Sequence, residues 1–123
     1  MGDSQTEKIL VTGHRGMVGS AVCRRLNENK CKILTAPRET LDLTNADDTD
    51  QYFETHRPDT VVFASAKVGG IMANDTFPVE FLTENLTMAV NTIGAAYRYG
   101  VRRFLFLGST CIYPRMAPQP MPE

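Results

Sequence analysis

A chain of 123 residues with 42% hydrophobic residues, 22% charged residues and a net charge of -1 has the composition of one soluble globular domain. The near-neutral balance argues against nucleic-acid and membrane-surface binding, since both draw on a basic patch. No apolar run approaches the roughly 20 residues that cross a bilayer, and the polar start MGDSQTEK does not read as a secretory signal. Cys23, Cys31 and Cys111 have neither metal-ligand nor disulfide-framework spacing, so a reducing cytoplasm is expected and no metal site. The sequons at Asn74 and Asn85 then read as chance matches.

Lys8–Thr12 (KILVT) reads as a buried strand, followed by a helix over 16–28 with Val18, Ala21, Val22 and Leu26 on one face. Lys32–Ala36 is a second strand. Asn45 suits the N-cap of a helix whose first turn carries Asp47 and Asp48, and that helix should stop before Pro58. Thr60–Ala64 (TVVFA) is a third strand. The longest helix should run from Pro78 to Gly100, with Phe81, Asn85, Ala89, Ile93 and Ala96 as its apolar face. Arg103–Leu107 is a fourth strand. Continuously apolar strands alternating with helices predict an α/β fold of Rossmann type, a doubly wound parallel sheet of about four strands.

Between the first strand and first helix lies Gly13-His14-Arg15-Gly16-Met17-Val18-Gly19, a G-x-x-G-x-x-G spacing. Gly13 would permit the tight turn and Gly16 the approach of a pyrophosphate. Gly19 would let helix and sheet pack closely, with the phosphates at the helix N-terminus. Three glycines alone are a weak signal, and the strand–turn–helix context strengthens them. The second strand ends Leu34-Thr35-Ala36-Pro37-Arg38 without the acid that usually holds a ribose 2′-hydroxyl in NAD sites. Arg15 and Arg38 suit a 2′-phosphate instead, which favours NADP(H) over NAD, the alternative being that either is simply a solvated loop residue. Asp42, followed by Leu43, suits the adenine amino group or simply a turn.

Ligands of doubly wound sheets bind outside the carboxyl ends of the strands. The third strand delivers Ala64, Ser65, Ala66 and Lys67 there, and small residues would let ribose and nicotinamide lie against the backbone. Lys67 reads either as a phosphate or substrate contact or as a surface lysine. The fourth strand delivers Leu107, Gly108, Ser109, Thr110 and Cys111. Ser109 is placed to hydrogen-bond a carbonyl or hydroxyl, and a thiol can move protons at carbon. By pattern alone Cys111 reads sooner as a small buried apolar side chain.

GHRGMVGSA at 13–21, AKVGGI at 66–71 and GSTCIYP at 108–114 together resemble the GDP-L-fucose synthases, extended short-chain dehydrogenases that act as epimerase-reductases. The resemblance covers essentially the whole chain. It implies NADPH-dependent conversion of GDP-4-keto-6-deoxy-D-mannose to GDP-L-fucose by a homodimer, to which Thr83–Tyr99 would contribute. It also implies pyrophosphate binding by Gly13–Gly19, 2′-phosphate binding by Arg15 and Arg38, and an adenine flank at 38–43. Leu107–Thr110 would line the nicotinamide side. Ser109 resembles the catalytic serine, and Cys111 the group that moves protons in epimerisation, which reverses the pattern-based reading of the thiol. Thr110 stands where a second serine is usual, and Ser65 where an alanine is usual.

The resemblance also shows a gap. Reduction in this superfamily uses a Tyr-x-x-x-Lys pair, yet four residues beyond Tyr52, Tyr97, Tyr99 and Tyr113 stand His56, Val101, Arg103 and Ala117. His14 and His56 do not match the family's epimerisation histidine. Residues 1–123 are therefore expected to form an incomplete NADP-binding domain without the substrate domain. The alternatives are a non-catalytic NADP-binding module or short isoform, and another sugar-nucleotide epimerase or dehydratase. The 123 residues alone are expected to form no GDP-L-fucose from GDP-4-keto-6-deoxy-D-mannose and NADPH. Detectable product from the purified chain in a chromatographic assay would contradict this.

Overall fold

The computed structural model describes residues 6–109 and 112–122. Eight elements follow in chain order: β1 (Lys8–Thr12), α1 (Met17–Glu28), β2 (Lys32–Leu34), α2 (Ala46–His56), β3 (Thr60–Phe63), α3 (Ile71–Thr76), α4 (Pro78–Arg98) and β4 (Arg103–Phe106). The strands form one parallel sheet in the order β2-β1-β3-β4. The fold is thus the expected α/β sheet of Rossmann type. Among the described residues, no helix is long and apolar enough to cross a membrane.

Successive residues of a strand point to opposite faces, and β1 and β3 use both faces for burial. Leu10, Val61 and Phe63 join Leu41, Leu43, Phe53, Ala95 and Ala96 beneath α2 and α4. Ile9, Val11 and Val62 meet Val22, Cys23, Leu26 and Ile33 beneath α1. That two-sided cover is why the strands read as unbroken apolar runs.

The helix ends follow local chemistry. Asn45 caps α2, its Oδ1 accepting from the Asp47 and Asp48 amides at 2.9 and 3.2 Å. Arg57, in the left-handed region at φ 47°, ends α2 immediately before Pro58. Pro78 opens α4, and Gly100 turns the chain beyond it at φ 74°.

Several expectations shift. β2 stops at Leu34, because its ladder with β1 ends at Leu10–Leu34, and Thr35 and Ala36 leave the sheet. β3 and β4 likewise each end one residue early, at Phe63 and Phe106. Val18 and Ala21 of α1 are exposed, and its inward face is Gly19, Val22, Cys23 and Leu26. Ile93 is exposed too. The rest of the expected α4 stripe is inward: Phe81 and Asn85 are half-buried, Ala89 packs on the core and Ala96 lies in it, with Met88, Thr92 and Ala95 beside them. α3 was not anticipated: none of its six residues is buried, so apolar periodicity had nothing to report.

At the amino edge of the sheet, Glu7 accepts from Thr60 Oγ1 and pairs with Arg103, joining the chain before β1 to β3 and β4. The Arg103 and Thr60 hydrogen bonds hold the Glu7 carboxyl below its usual 4.5. A depressed carboxylate pKa contributes stability above the unfolded value and loses it as pH falls through the folded one. Wild type should therefore exceed Glu7→Gln in denaturation midpoint at pH 7, and the gap should close below about pH 4; a gap independent of pH would contradict the pairing. Phe53 is fully buried in the α2–α4 core, and Phe53→Ala should cost about 3–5 kcal/mol in urea unfolding. A cost below about 1 kcal/mol would show that this layer is not a packed core.

Candidate functional site

Parallel strands bring their carboxyl ends to one edge, and β1 is followed by crossovers to β2 on one side and β3 on the other. Open α/β sheets bind ligands at that reversal. A cavity of about 320 Å³ lies there, lined by the end of β1 and the 13–16 turn, by residues 36–38 and 41–43, by residues 64–67, and by Glu84 and Met88 of α4.

The turn is built by backbone contact. Gly13 has φ 67°, and a Cβ on it would stand 2.4 Å from the Ala64 carbonyl oxygen. A Cβ on Gly19 would stand 2.1 Å from the Gly13 oxygen. The Gly16 amide donates to that same Gly13 oxygen at 2.9 Å. Gly16 is the N-cap of α1 but offers no side-chain cap, and the first turn of α1 holds no acid. The first amides of a helix lack intrahelical acceptors and sit at the positive end of its dipole. A cradle with no side chain in it, facing those amides, fits a diphosphate.

The wall at 36–43 carries charge. Asp42 Oδ1 accepts from the Thr44 amide at 3.0 Å and from Thr44 Oγ1 at 2.6 Å. Those two bonds hold the Asp42 carboxyl below its ordinary range, and Arg38, whose Nε is 3.9 Å away, adds the smallest contribution. Arg15 and Arg38 are exposed and line the cavity, Arg38 beside Asp42. His14 lines both this cavity and a neighbouring one of about 440 Å³ walled by Ser20, Cys23, Arg24, Asn27, Ile33 and Thr35. Burial pushes the Cys23 thiol up.

The β3 loop is held from α4. Lys67 Nζ pairs with Glu84 at 2.7 Å and lies 5.5 Å from the centre of the Phe81 ring. The Lys67 peptide groups bond to Asn85, whose Oδ1 accepts from the amide at 2.7 Å and whose Nδ2 donates to the carbonyl at 3.0 Å. Lys67 and its carboxylate partner Glu84 both line the cavity.

Of the expected site residues, Gly13, His14, Arg15, Gly16, Arg38, Asp42, Leu43, Ala64, Ser65 and Ala66 line the cavity. Met17, Val18 and Gly19 form the first turn of α1 beside it, with Met17 exposed and Gly19 buried beneath the turn. Leu107, Gly108 and Ser109 follow β4, one strand beyond β3, and do not line it. Thr110 and Cys111 lie outside the described residues. Sequence reasoning missed Ala36, Pro37, Glu84 and Met88 as wall residues, while Leu41 falls in the expected adenine flank at 38–43. A glycine turn announces its own geometry, but no local pattern marks which turn of a distant helix will pass a cavity. Among the described residues, no cluster of three or more His, Cys, Asp or Glu is gathered to hold a metal ion.

The chain is 47% identical over 117 residues to a GDP-L-fucose synthase of Sinorhizobium fredii, covering 95% of this chain and 37% of that protein. It is 48% identical over 120 residues to a putative GDP-L-fucose synthase 2 of Arabidopsis thaliana, covering 97% of this chain and 37% of that one. The chain therefore spans little more than a third of these curated relatives. A crystal structure of a GDP-L-fucose synthetase from Naegleria fowleri bound to NADP superimposes with TM-score 0.83 at 31% identity, over 98% of this chain and 36% of that one. A sequence profile of the NAD dependent epimerase/dehydratase family matches residues 9–123, and the chain belongs to that family.

Proposed function

We propose that the cavity holds NADP(H) and that residues 1–123 supply the dinucleotide-binding part of an epimerase-reductase converting GDP-4-keto-6-deoxy-D-mannose to GDP-L-fucose. The observation that carries this reading is the side-chain-free cradle of Gly13 and Gly16 facing the uncapped N-terminus of α1. The relatives named GDP-L-fucose synthase, and the solved synthetase bound to NADP, support the choice of substrate and cofactor.

In this reading the amides of the 13–19 turn bind the diphosphate, and Arg15 and Arg38 fork onto the 2′-phosphate. Asp42 and Leu43 flank adenine. Ala64, Ser65 and Ala66 give the ribose and nicotinamide a wall of small side chains, and Leu107–Thr110 flank the far side of the nicotinamide. Bound NADPH supplies a hydride. Ser109 donates a hydrogen bond to the sugar ketone, polarising it, and Cys111 carries protons to and from the carbons beside it. No Tyr-x-x-x-Lys pair occurs in the 123 residues, so the proton for the ketone oxygen is assigned to groups outside this chain. The same gap favours, as a second reading, a module that binds NADP without turnover.

The outer face of α4 supports a second copy of the chain as partner. Val79, Leu82, Leu86, Val90, Ile93 and Tyr97 recur every three or four residues and are all exposed, between 49% and 88%. A helix with one apolar stripe on the core and another outside is suited to helix–helix pairing.

Cofactor choice tests the cavity assignment. NADPH should bind more tightly than NADH by fluorescence titration. Arg38→Ala should weaken NADPH about ten-fold or more while leaving NADH within about two-fold, since each charge-assisted bond to phosphate is worth about 1.5–3 kcal/mol. Equal losses for both cofactors would remove Arg38 from the 2′-phosphate.

A further inference from the structure

Asp42 and Leu43 stand in the cavity wall, yet the segment that carries them belongs to neither strand nor helix. Most of its bonds are local: the Thr40 and Leu41 amides donate to the Pro37 carbonyl, and the Asn45 amide to the Asp42 carbonyl. One is not. Asn91 Nδ2, from the middle of α4, donates to the Leu43 carbonyl at 2.9 Å across 48 positions of sequence. The Leu43 side chain is 6% exposed in the core, so its carbonyl has little access to water. Among the described residues, Asn91 is the donor that satisfies it. Asn91 is itself half-buried, next to Thr92 on the inward side of α4. A half-buried amide costs stability unless it is hydrogen-bonded, and an apolar side chain here would leave the Leu43 carbonyl without its donor.

We propose that Asn91 is a positioning residue for the adenosine end of the dinucleotide. It lines no part of the cavity. By holding the Leu43 carbonyl it sets where Asp42 and Leu43 stand relative to the glycine turn across the cavity. α4 is a firm base for this. Thr92, Ala95 and Ala96 are buried against the sheet, and Arg98 pairs with Asp50 of α2. The bond therefore ties a loop free of regular structure to the most extensively anchored helix. A loop already in its binding position needs less ordering when ligand arrives, and that difference appears in affinity. The inference rests on the cavity being a dinucleotide site.

The probe is 2′,5′-ADP, which carries the adenosine end alone, with NADPH beside it, on the protein at its full natural length. Asn91→Leu keeps the volume and removes the donor. It should weaken 2′,5′-ADP and NADPH about five- to ten-fold, the scale of one lost neutral hydrogen bond. Hydrogen exchange should quicken at residues 41–45 and stay unchanged in the sheet. Wild-type affinity in the variant would overturn the proposal. So would faster exchange throughout α4 and the sheet, which would make Asn91 merely structural. If Asn91→Leu does not fold, the wild type decides: the Asn91 side-chain amide resonance should shift on 2′,5′-ADP binding, and an unmoved resonance overturns the proposal. Failure of wild type to bind either probe would instead remove the dinucleotide reading, a result separate from failure of the Asn91 role.

Discussion

The close backbone contact of Gly13 with Ala64, and of Gly19 with Gly13, is the constraint on which the rest of the structure depends. Hypothetical Cβ atoms at these two glycines would lie 2.4 and 2.1 Å from carbonyl oxygens, so any side chain there would force β1, α1 and the β3 loop apart. At these two glycines the segments approach through main chain, beside the N-terminus of α1. Packing and site therefore share one origin. The core beneath α1, with Ile9, Val11 and Val62, can close only if the turn stays this tight.

The second organising element is α4, the longest helix of the chain. One side of it completes the core through Thr92, Ala95 and Ala96. Along the same helix, Glu84 and Asn85 hold the β3 loop and Asn91 holds the loop before α2. Its remaining side is the exposed apolar stripe from Val79 to Tyr97. A single helix thus contributes to core, cavity wall and outer surface. Anything that covers the outer stripe would stiffen the same rod to which both loops are tied.

Much of the fold was legible because its causes are local. KILVT and TVVF are apolar without a break because both faces of the sheet are covered, and Asn45, Pro58, Pro78 and Gly100 mark helix ends by their own backbone chemistry. The glycine spacing was legible for the same reason. What escaped depends on distant partners. β2 ends where β1 stops pairing with it, which no residue of 32–36 encodes. Ile93 was expected inward but stands on the outer side of α4, because that helix is apolar on both sides and periodicity does not say which apolar residue meets the sheet. Lys67 read as either a ligand contact or a surface lysine; it lines the cavity, and its pairing with Glu84 there is not visible in sequence spacing. Ser109 follows β4, the strand beside β3, and Cys111 lies outside the described residues.

The central claim is that the cradle between the 13–19 turn and the β3 loop receives a dinucleotide diphosphate. Amide chemical-shift mapping with NADPH tests it most directly, because the cradle is made of backbone N–H groups. The account predicts that the largest shifts fall on Gly13, Gly16, Met17 and Gly19, with smaller ones along 36–43 and 64–66. Shifts that leave the glycine turn unmoved, or that collect on the outer face of α4, would contradict it.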